Sequence, residues 1–356
     1  MISRICFAAA LALSGAMLSV PAAAQQSISL AADEAYVHPH SEITVPPSLG
    51  GLQRTRINEY AENALDLGMN FASADNGQVL SVYIFRNTNG SLPLWFAQAE
   101  SVIAMHPNFD EPDVSIAPRS FALPGSDTAS GLLAVFEPGA GSPMRSTGVA
   151  MFAVGDWYVK LRASSVMRTS DGLLHWMESA LAELQLPAHE AVAATPIADC
   201  ENELRFRGRS RDVRGDAADN VVNSLLGGLL QGLVAERQAE AGPVAWCRDS
   251  QLEIGQAVYR ANESENSYLL ALGDNGNAVH VAPQLRVEGI SPDSENDEAF
   301  SLTLHRAAED VMLVSQDRLP SPRRVIDLLD NNRITSSRNT WGDDRTVTVR
   351  SGELGK

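Results

Sequence analysis

Two runs of alternating residues, 149–154 and 157–162, flank Gly155-Asp156, and this arrangement constrains the fold more than any other stretch of the chain. A two-residue turn of the Gly-X type matches the twist of paired antiparallel strands, so the segment predicts a tight β-hairpin. Alternation with a period of two puts Trp157, Val159 and Leu161 on one face and Tyr158, Lys160 and Arg162 on the other. Lys160, the one internal lysine of the mature chain, is expected to face solvent on its strand. A lone hairpin is marginal in water, so neighbouring segments must extend and cover it.

Those neighbours are legible. Leu65, Leu67, Met69 and Phe71 alternate as in a half-buried strand. Asp75-Asn76-Gly77 then marks a turn, and residues 79–85 are rich in β-formers, which gives a first hairpin. Residues 92–105 predict a helix with Pro93 in its first turn and Leu92, Phe96, Ala99 and Ile103 as its apolar face. Residues 107–130 carry four prolines and read as a long loop, followed by a strand at 132–136. After the second hairpin, Ser170 or Asp171 caps a helix marked by Leu173, Met177, Leu181 and Leu184, which stops at Pro187. Residues 25–49, with Pro39, Pro46 and Pro47, read as an extended arm.

Hairpin, helix, loop, strand, hairpin, helix is the order of an antiparallel sheet with helices packed on it. This succession over residues 50–187 resembles the PsbP-like α/β fold. The resemblance rests on element order, implies an accessory or binding module, and transfers no site residue.

Residues 188–199 form a linker from the end of that helix to Cys200. A second domain, 200–350, has strand candidates at 252–260, 267–272, 278–281, 300–304 and 311–315, with Asp274-Asn275-Gly276 as a hairpin turn. Pro322 opens a short helix with Val325, Ile326, Leu328 and Leu329 apolar; residues 345–350 form a last strand and 351–356 a polar tail. The fold class is therefore α+β. It pairs an N-terminal antiparallel sheet carrying packed helices with a smaller, mostly-β domain containing one or two helices.

The first 24 residues read as a signal peptide. Arg4 supplies the positive charge, an apolar run follows, and Ala22-Ala23-Ala24 gives the cleavage pattern before Gln25. The apolar run is short for a transmembrane span, and Cys6 is misplaced for lipid anchoring. Arginine outnumbers lysine 25 to two, the usage of a GC-rich genome, which with the signal type points to the periplasm of a Gram-negative bacterium. After cleavage only Cys200 and Cys247 remain, an even pair that reads as a disulfide in an oxidising compartment. A formal net charge of −17 argues against nucleic acid as a partner.

Four segments are candidate sites. Residues 217–238 predict an apolar helix in which Leu225, Leu226, Leu229, Leu230 and Leu233 form a stripe beside Gly228 and Gly232. The stripe docks on its own domain, on a second copy of the chain or on a membrane surface. Arg205, Arg207, Arg209 and Arg211 alternate, so on a strand they share a face. Their forks suit phosphate or carboxylate, as in a phosphorylated lipid or an acidic envelope polymer, or they meet acidic neighbours on a solvated strand. His38-Pro39-His40 with Glu42 forms a loose metal motif, and Asp293, Glu295, Asp297 and Glu298 lack the spacing of a calcium loop.

Enzyme motifs are missing. Ser142 lacks the flanking glycines of a nucleophile elbow, having Ala140 and Met144 in their place. There is no zinc-protease, phosphate-loop or dinucleotide signature. The reading is an exported, periplasmic, non-enzymatic binding or accessory protein. It needs no metal or cofactor, has no span after cleavage, and takes an envelope protein or acidic envelope component as partner. The competing reading is a secreted hydrolase whose site is assembled from distant residues.

Overall fold

A computed structural model describes residues 26–213, 244–284, 299–343 and 346–349. The chain is α+β, and every strand ladder among the described residues is antiparallel.

The first sheet contains β1 (Gln26–Ile28), β4 (Ser48–Leu49), β5 (Leu52–Ala61), β6 (Asp66–Ala72), β7 (Gln78–Arg86), β8 (Asp113–Phe121), β9 (Gly131–Glu137), β10 (Ser146–Val154) and β11 (Trp157–Ser165). Its order is β1-β5-β6-β7-β11-β10-β9-β8, with β4 paired on β5. Two meanders thus meet where β7 pairs β11. The segment 25–49 is less plain than an extended arm: β1 adds to the sheet edge, while β2 (Tyr36–Val37) and β3 (Thr44–Val45) make a small ribbon. The hairpin at Gly155-Asp156 forms with Val154 opposite Trp157.

Strands β9 and β10 are buried on both faces, because each face of the sheet has its own cover. Helix α2 (Ser170–Glu183) packs Leu173, Met177 and Leu181 against Leu133, Val135, Phe152 and Val159. Its N-cap is Thr169, one residue before the earliest expected, and the Thr169 side chain accepts a hydrogen bond from the Gly172 amide. Helix α1 (Leu92–Met105) covers the opposite face.

Residues 107–130 are not a loop throughout. β8 lies within them as an edge strand, with Pro118 inside a bulge between Ile116 and Arg119. A proline donates no ladder hydrogen bond, so an edge with a bulge is where a sheet tolerates one.

The second sheet is an eight-stranded meander in chain order: β12 (Trp246–Gln251), β13 (Gln256–Ala261), β14 (Tyr268–Leu272), β15 (Ala278–Pro283), β16 (Phe300–His305), β17 (Glu309–Leu313), β18 (Ile334–Asn339) and β19 (Val347–Val349). Residues 252–260 are not one strand. A turn containing Gly255, at φ 78°, separates β12 from β13. Helix α3 (Pro322–Asp330) places Val325 and Leu328 on the far face with Val258, Leu270, Val279 and Leu304.

The near face of this sheet closes over α1. Ala257, Tyr259, Leu269, Ala271 and Ala278 share one core with Leu94, Trp95, Phe96 and Tyr158. A single apolar face was expected on α1, yet Leu94, Trp95, Ala97, Gln98 and Ser101 are buried as well. Gln98 explains how a polar residue survives there. Its amide donates to the carbonyls of Gly255 and Gly273 at 2.9 Å each, and the Tyr259 hydroxyl donates to its Oε1 at 2.9 Å.

Cys200 and Cys247 form a disulfide with Cα atoms 4.9 Å apart. It ties the end of the linker to β12, where Cys200 N donates to Arg248 O at 2.9 Å. The apolar helix expected at 217–238, including Leu225, Leu226, Leu229, Leu230 and Leu233, lies outside the described residues, as does the acidic run 293–298. No helix among the described residues is long and apolar enough to cross a membrane.

Candidate anion-binding cleft

The arginine row runs along a segment that lacks strand pairing until Asp212, so the expected strand does not form. The alternation nevertheless persists in burial. Leu204 and Ser210 are buried and Phe206 half-buried, while Arg205, Arg207, Arg209 and Arg211 are exposed. An extended chain places alternate residues on opposite sides with or without a ladder. Gly208 adopts φ 69°, a left-handed conformation that bends the segment between Arg207 and Arg209.

Beyond the bend the segment docks beside the end of β17. Asp212 bridges to Gln316, and Val213 N donates to Ser315 O at 2.8 Å. Gln316 is fully buried and organises the floor. The Ser210 hydroxyl donates to its Oε1 at 3.0 Å, and its amide donates to Asp212 Oδ1 at 2.9 Å. Arg324, in the first turn of α3, donates to the same Gln316 oxygen through Nε at 3.2 Å and pairs with Asp212 Oδ1 through Nη2. Arg333, just past α3, holds Asp212 Oδ2 at 2.6 Å. Burial pushes the Asp212 carboxyl up, but Gln316, Arg333 and Arg324 outweigh it and hold the group below the ordinary carboxylate range.

Arg318 faces the bent segment. Its Nε lies 3.2 Å from Asp317 Oδ1, and its Nη1 reaches the carbonyl of Arg207. Arg211 N donates to that same Asp317 oxygen at 2.9 Å. The result is a cleft of about 760 Å³ lined by Arg209, Ser210, Arg211, Asp212, Arg318, Arg324 and Arg333. Among the described residues, five guanidinium groups line the cleft against the carboxylate of Asp212 and that of Asp317, the partner of Arg318, which leaves a surplus of three positive charges. Arg209 and Arg211, singled out in the sequence, line the cleft; Arg205 and Arg207 do not. Arg318, Arg324 and Arg333 were missed because more than 100 residues separate them from the row, and no local pattern marks them.

A second ionic cluster lies between the sheets. Lys160 does not face solvent: its side chain is 2% exposed. Its Nζ donates to the Asp274 carbonyl at 2.7 Å, pairs with Asp274 Oδ2 at 2.8 Å, and sits 4.7 Å from the centre of the Tyr83 ring. Arg162 reaches Asp274 Oδ2 at 3.0 Å. Asn275 donates to Asp66 Oδ2 at 2.7 Å. The turn Asp274-Asn275-Gly276 between β14 and β15 therefore plugs into β6, β7 and β11 of the first sheet. Burial pushes the Asp274 carboxyl up, but Lys160 and Arg162 overcome this and hold it at about 2. Burial lifts Asp66 to about 6 despite the hydrogen bond from Asn275.

The histidine candidates serve packing. His38 is fully buried; its Nε2 lies 2.9 Å from Ala64 O, and its Nδ1 lies 2.7 Å from the Ser41 hydroxyl. Burial pulls His38 down to about 4. His40 contacts Asn63 O at 2.7 Å, stacks on Trp157 and meets Trp341 edge-on. Among the described residues no group of three metal-ligating side chains converges. Two pairs bear on a hydrolase. Ser41–His38 lacks an acid, since the other ring nitrogen meets a carbonyl. His305 Nδ1 lies 2.7 Å from Asp310 Oδ1, while Arg338 occupies Asp310 Oδ2. Both pairs are thus held by these neighbours, a carbonyl at His38 and an arginine at Asp310.

A comparison with models of known protein families found no match, and a search of curated protein sequences found none either.

Proposed function

We propose that the chain is an exported, non-enzymatic binding protein of the bacterial envelope, and that the arginine cleft of its second domain holds an acidic envelope component. One observation carries the reading. A chain of formal net charge −17 gathers, among the described residues, a surplus of three positive charges into one cleft. Such a concentration opposes the field of the rest of the molecule and draws anions to one place. Arginine forks suit carboxylate and phosphate there. The pattern of residues 1–24 and the Cys200–Cys247 disulfide support a periplasmic address, with cleavage after Ala24. The element order that resembles the PsbP-like fold supports an accessory role by analogy.

The test is titration of the mature chain with anionic envelope fractions at several salt concentrations. Binding that weakens with salt and is lost in an Arg209→Ala/Arg211→Ala variant is the expected result. Salt-independent binding, or binding untouched by the substitutions, would overturn the assignment. For the address, intact mass of protein from a periplasmic fraction should begin at Gln25; full-length chain in the cytoplasm would refute export.

A further inference from the structure

We infer that the ligand of this cleft is a compact phosphate-bearing group of at least two negative charges, a phosphate monoester or a diphosphate, and not a polymer lying along the whole arginine row. The inference rests on the reading of the cleft as an anion site and narrows it.

The first argument is charge. Asp212 already engages Arg324 on one oxygen and Arg333 on the other, so the floor of the cleft carries its own carboxylate. Above it stand Arg209 and Arg211, both exposed, and Arg318, whose partner Asp317 also receives the Arg211 amide. A ligand with one carboxylate would leave two of the three surplus charges unmatched. A phosphate monoester brings about −1.5 to −2 at neutral pH, and a diphosphate brings more.

The second argument is shape. An acidic polymer would gain from all four outward arginines, and an unbroken extended segment would present them as one track. Gly208 breaks that track. Its left-handed φ separates Arg205 and Arg207, outside the cleft, from Arg209 and Arg211, which line it. The Arg207 carbonyl is meanwhile held by Arg318, which fixes the bend from the cleft side. A cleft of about 760 Å³ has the dimensions of a small-molecule site.

The third argument is order before binding. Gln316 is fully buried and joins Ser210, Asp212 and Arg324 in one hydrogen-bonded set. The set fixes the floor and the Arg324 guanidinium before any anion arrives, so this part of the cleft loses little freedom on binding.

The test uses the mature full-length chain and calorimetric titration at one low salt concentration. The probes are sodium pyrophosphate, glycerol phosphate, acetate and long-chain polyphosphate. Pyrophosphate should bind at least about tenfold more tightly than acetate. Arg209→Ala/Arg211→Ala should weaken pyrophosphate at least about tenfold, while Arg205→Ala/Arg207→Ala should change it less than about threefold. A matching thermal midpoint in both variants keeps the comparison free of misfolding. An equal loss in the two variants, or binding of polyphosphate without pyrophosphate, would overturn the compact ligand and leave the anion site standing. Silence toward every anion would remove both. Phosphatidylcholine vesicles with and without phosphatidate separate the sources. Displacement of pyrophosphate by the phosphatidate vesicles alone marks a lipid headgroup, and displacement by glycerol phosphate alone marks a free ester; either supports the inference.

Discussion

The two ionic clusters are made of the same side chains, arginine or lysine against aspartate, and differ in balance and in access to water. At the junction between the sheets, Lys160 and Arg162 face Asp274 and Asp66, so the charges match; Lys160 and Asp66 are buried, while Arg162 and Asp274 keep partial contact with water. In the cleft, five guanidinium groups face two carboxylates among the described residues, and Arg209 and Arg211 stand exposed at the surface. A matched cluster centred on a buried lysine is spent on holding the molecule together. An open, unmatched one still has attraction to offer a ligand. Residue type does not tell the two apart; the count of charges and the route to water do.

Four experiments press on that contrast. The largest effect at a single pH belongs to Asp274→Asn. Removing the carboxylate 2.8 Å away leaves Lys160 buried without its closest counter-charge, and unfolding in denaturant should show a loss of about 3 kcal/mol. A loss below about 1 kcal/mol would mean that the junction is wet and that the contrast fails.

Next come two opposed pH responses. Asp66 is raised to about 6, so its contribution is full below the unfolded value of 3.8 and is lost as pH rises through about 6. His38 is lowered to about 4, so its contribution is full above 6.5 and is lost as pH falls through about 4. Each amounts to roughly 3 kcal/mol, and between pH 4 and 6.5 they run in opposite directions. Relative to the parent, Asp66→Asn should grow more stable as pH rises through this window, and His38→Gln less stable. Parallel curves for either variant would refute the corresponding burial.

Asp212→Asn should cost only about 1 kcal/mol, because Arg324 and Arg333 keep contact with water. It should also strengthen anion binding, since a competing carboxylate is gone; weaker binding would show that Asp212 orients the arginines more than it opposes the ligand. Smallest of all, Arg209→Ala/Arg211→Ala should move stability by less than about 0.5 kcal/mol. A larger drop would place these arginines with the structural set.

The sequence exposed what is local. The hairpin at Gly155-Asp156 and the turn Asp274-Asn275-Gly276 were readable because glycine and its neighbours fix backbone geometry within a few residues. The disulfide was readable because two cysteines have one pairing. β8 was hidden by Pro118, whose cost depends on being at an edge, and edge position is set by the whole sheet. Lys160 was misplaced because its strand face looks polar; only the arrival of Asp274, 114 residues later, makes burial tolerable. The cleft was half visible. Arg209 and Arg211 lie in the row, whereas Arg318, Arg324 and Arg333 enter through β17 and α3.

Helix α1 gives the chain a history as well as a shape. The first sheet and α2 are complete once Glu183 has emerged, but the side of α1 that meets Tyr259, Leu269 and Ala271 stays wet until β12 to β15 follow. A nascent chain therefore carries a greasy helix with a hydrogen-bonding glutamine at its centre and nothing yet to receive either. The interval between the two halves is the hazardous part of its synthesis, when a wrong neighbour can take the place of the right one. A gene cut near codon 190 would make that interval permanent, yielding an N-terminal half that clumps and a C-terminal half that lacks the surface it was shaped to close.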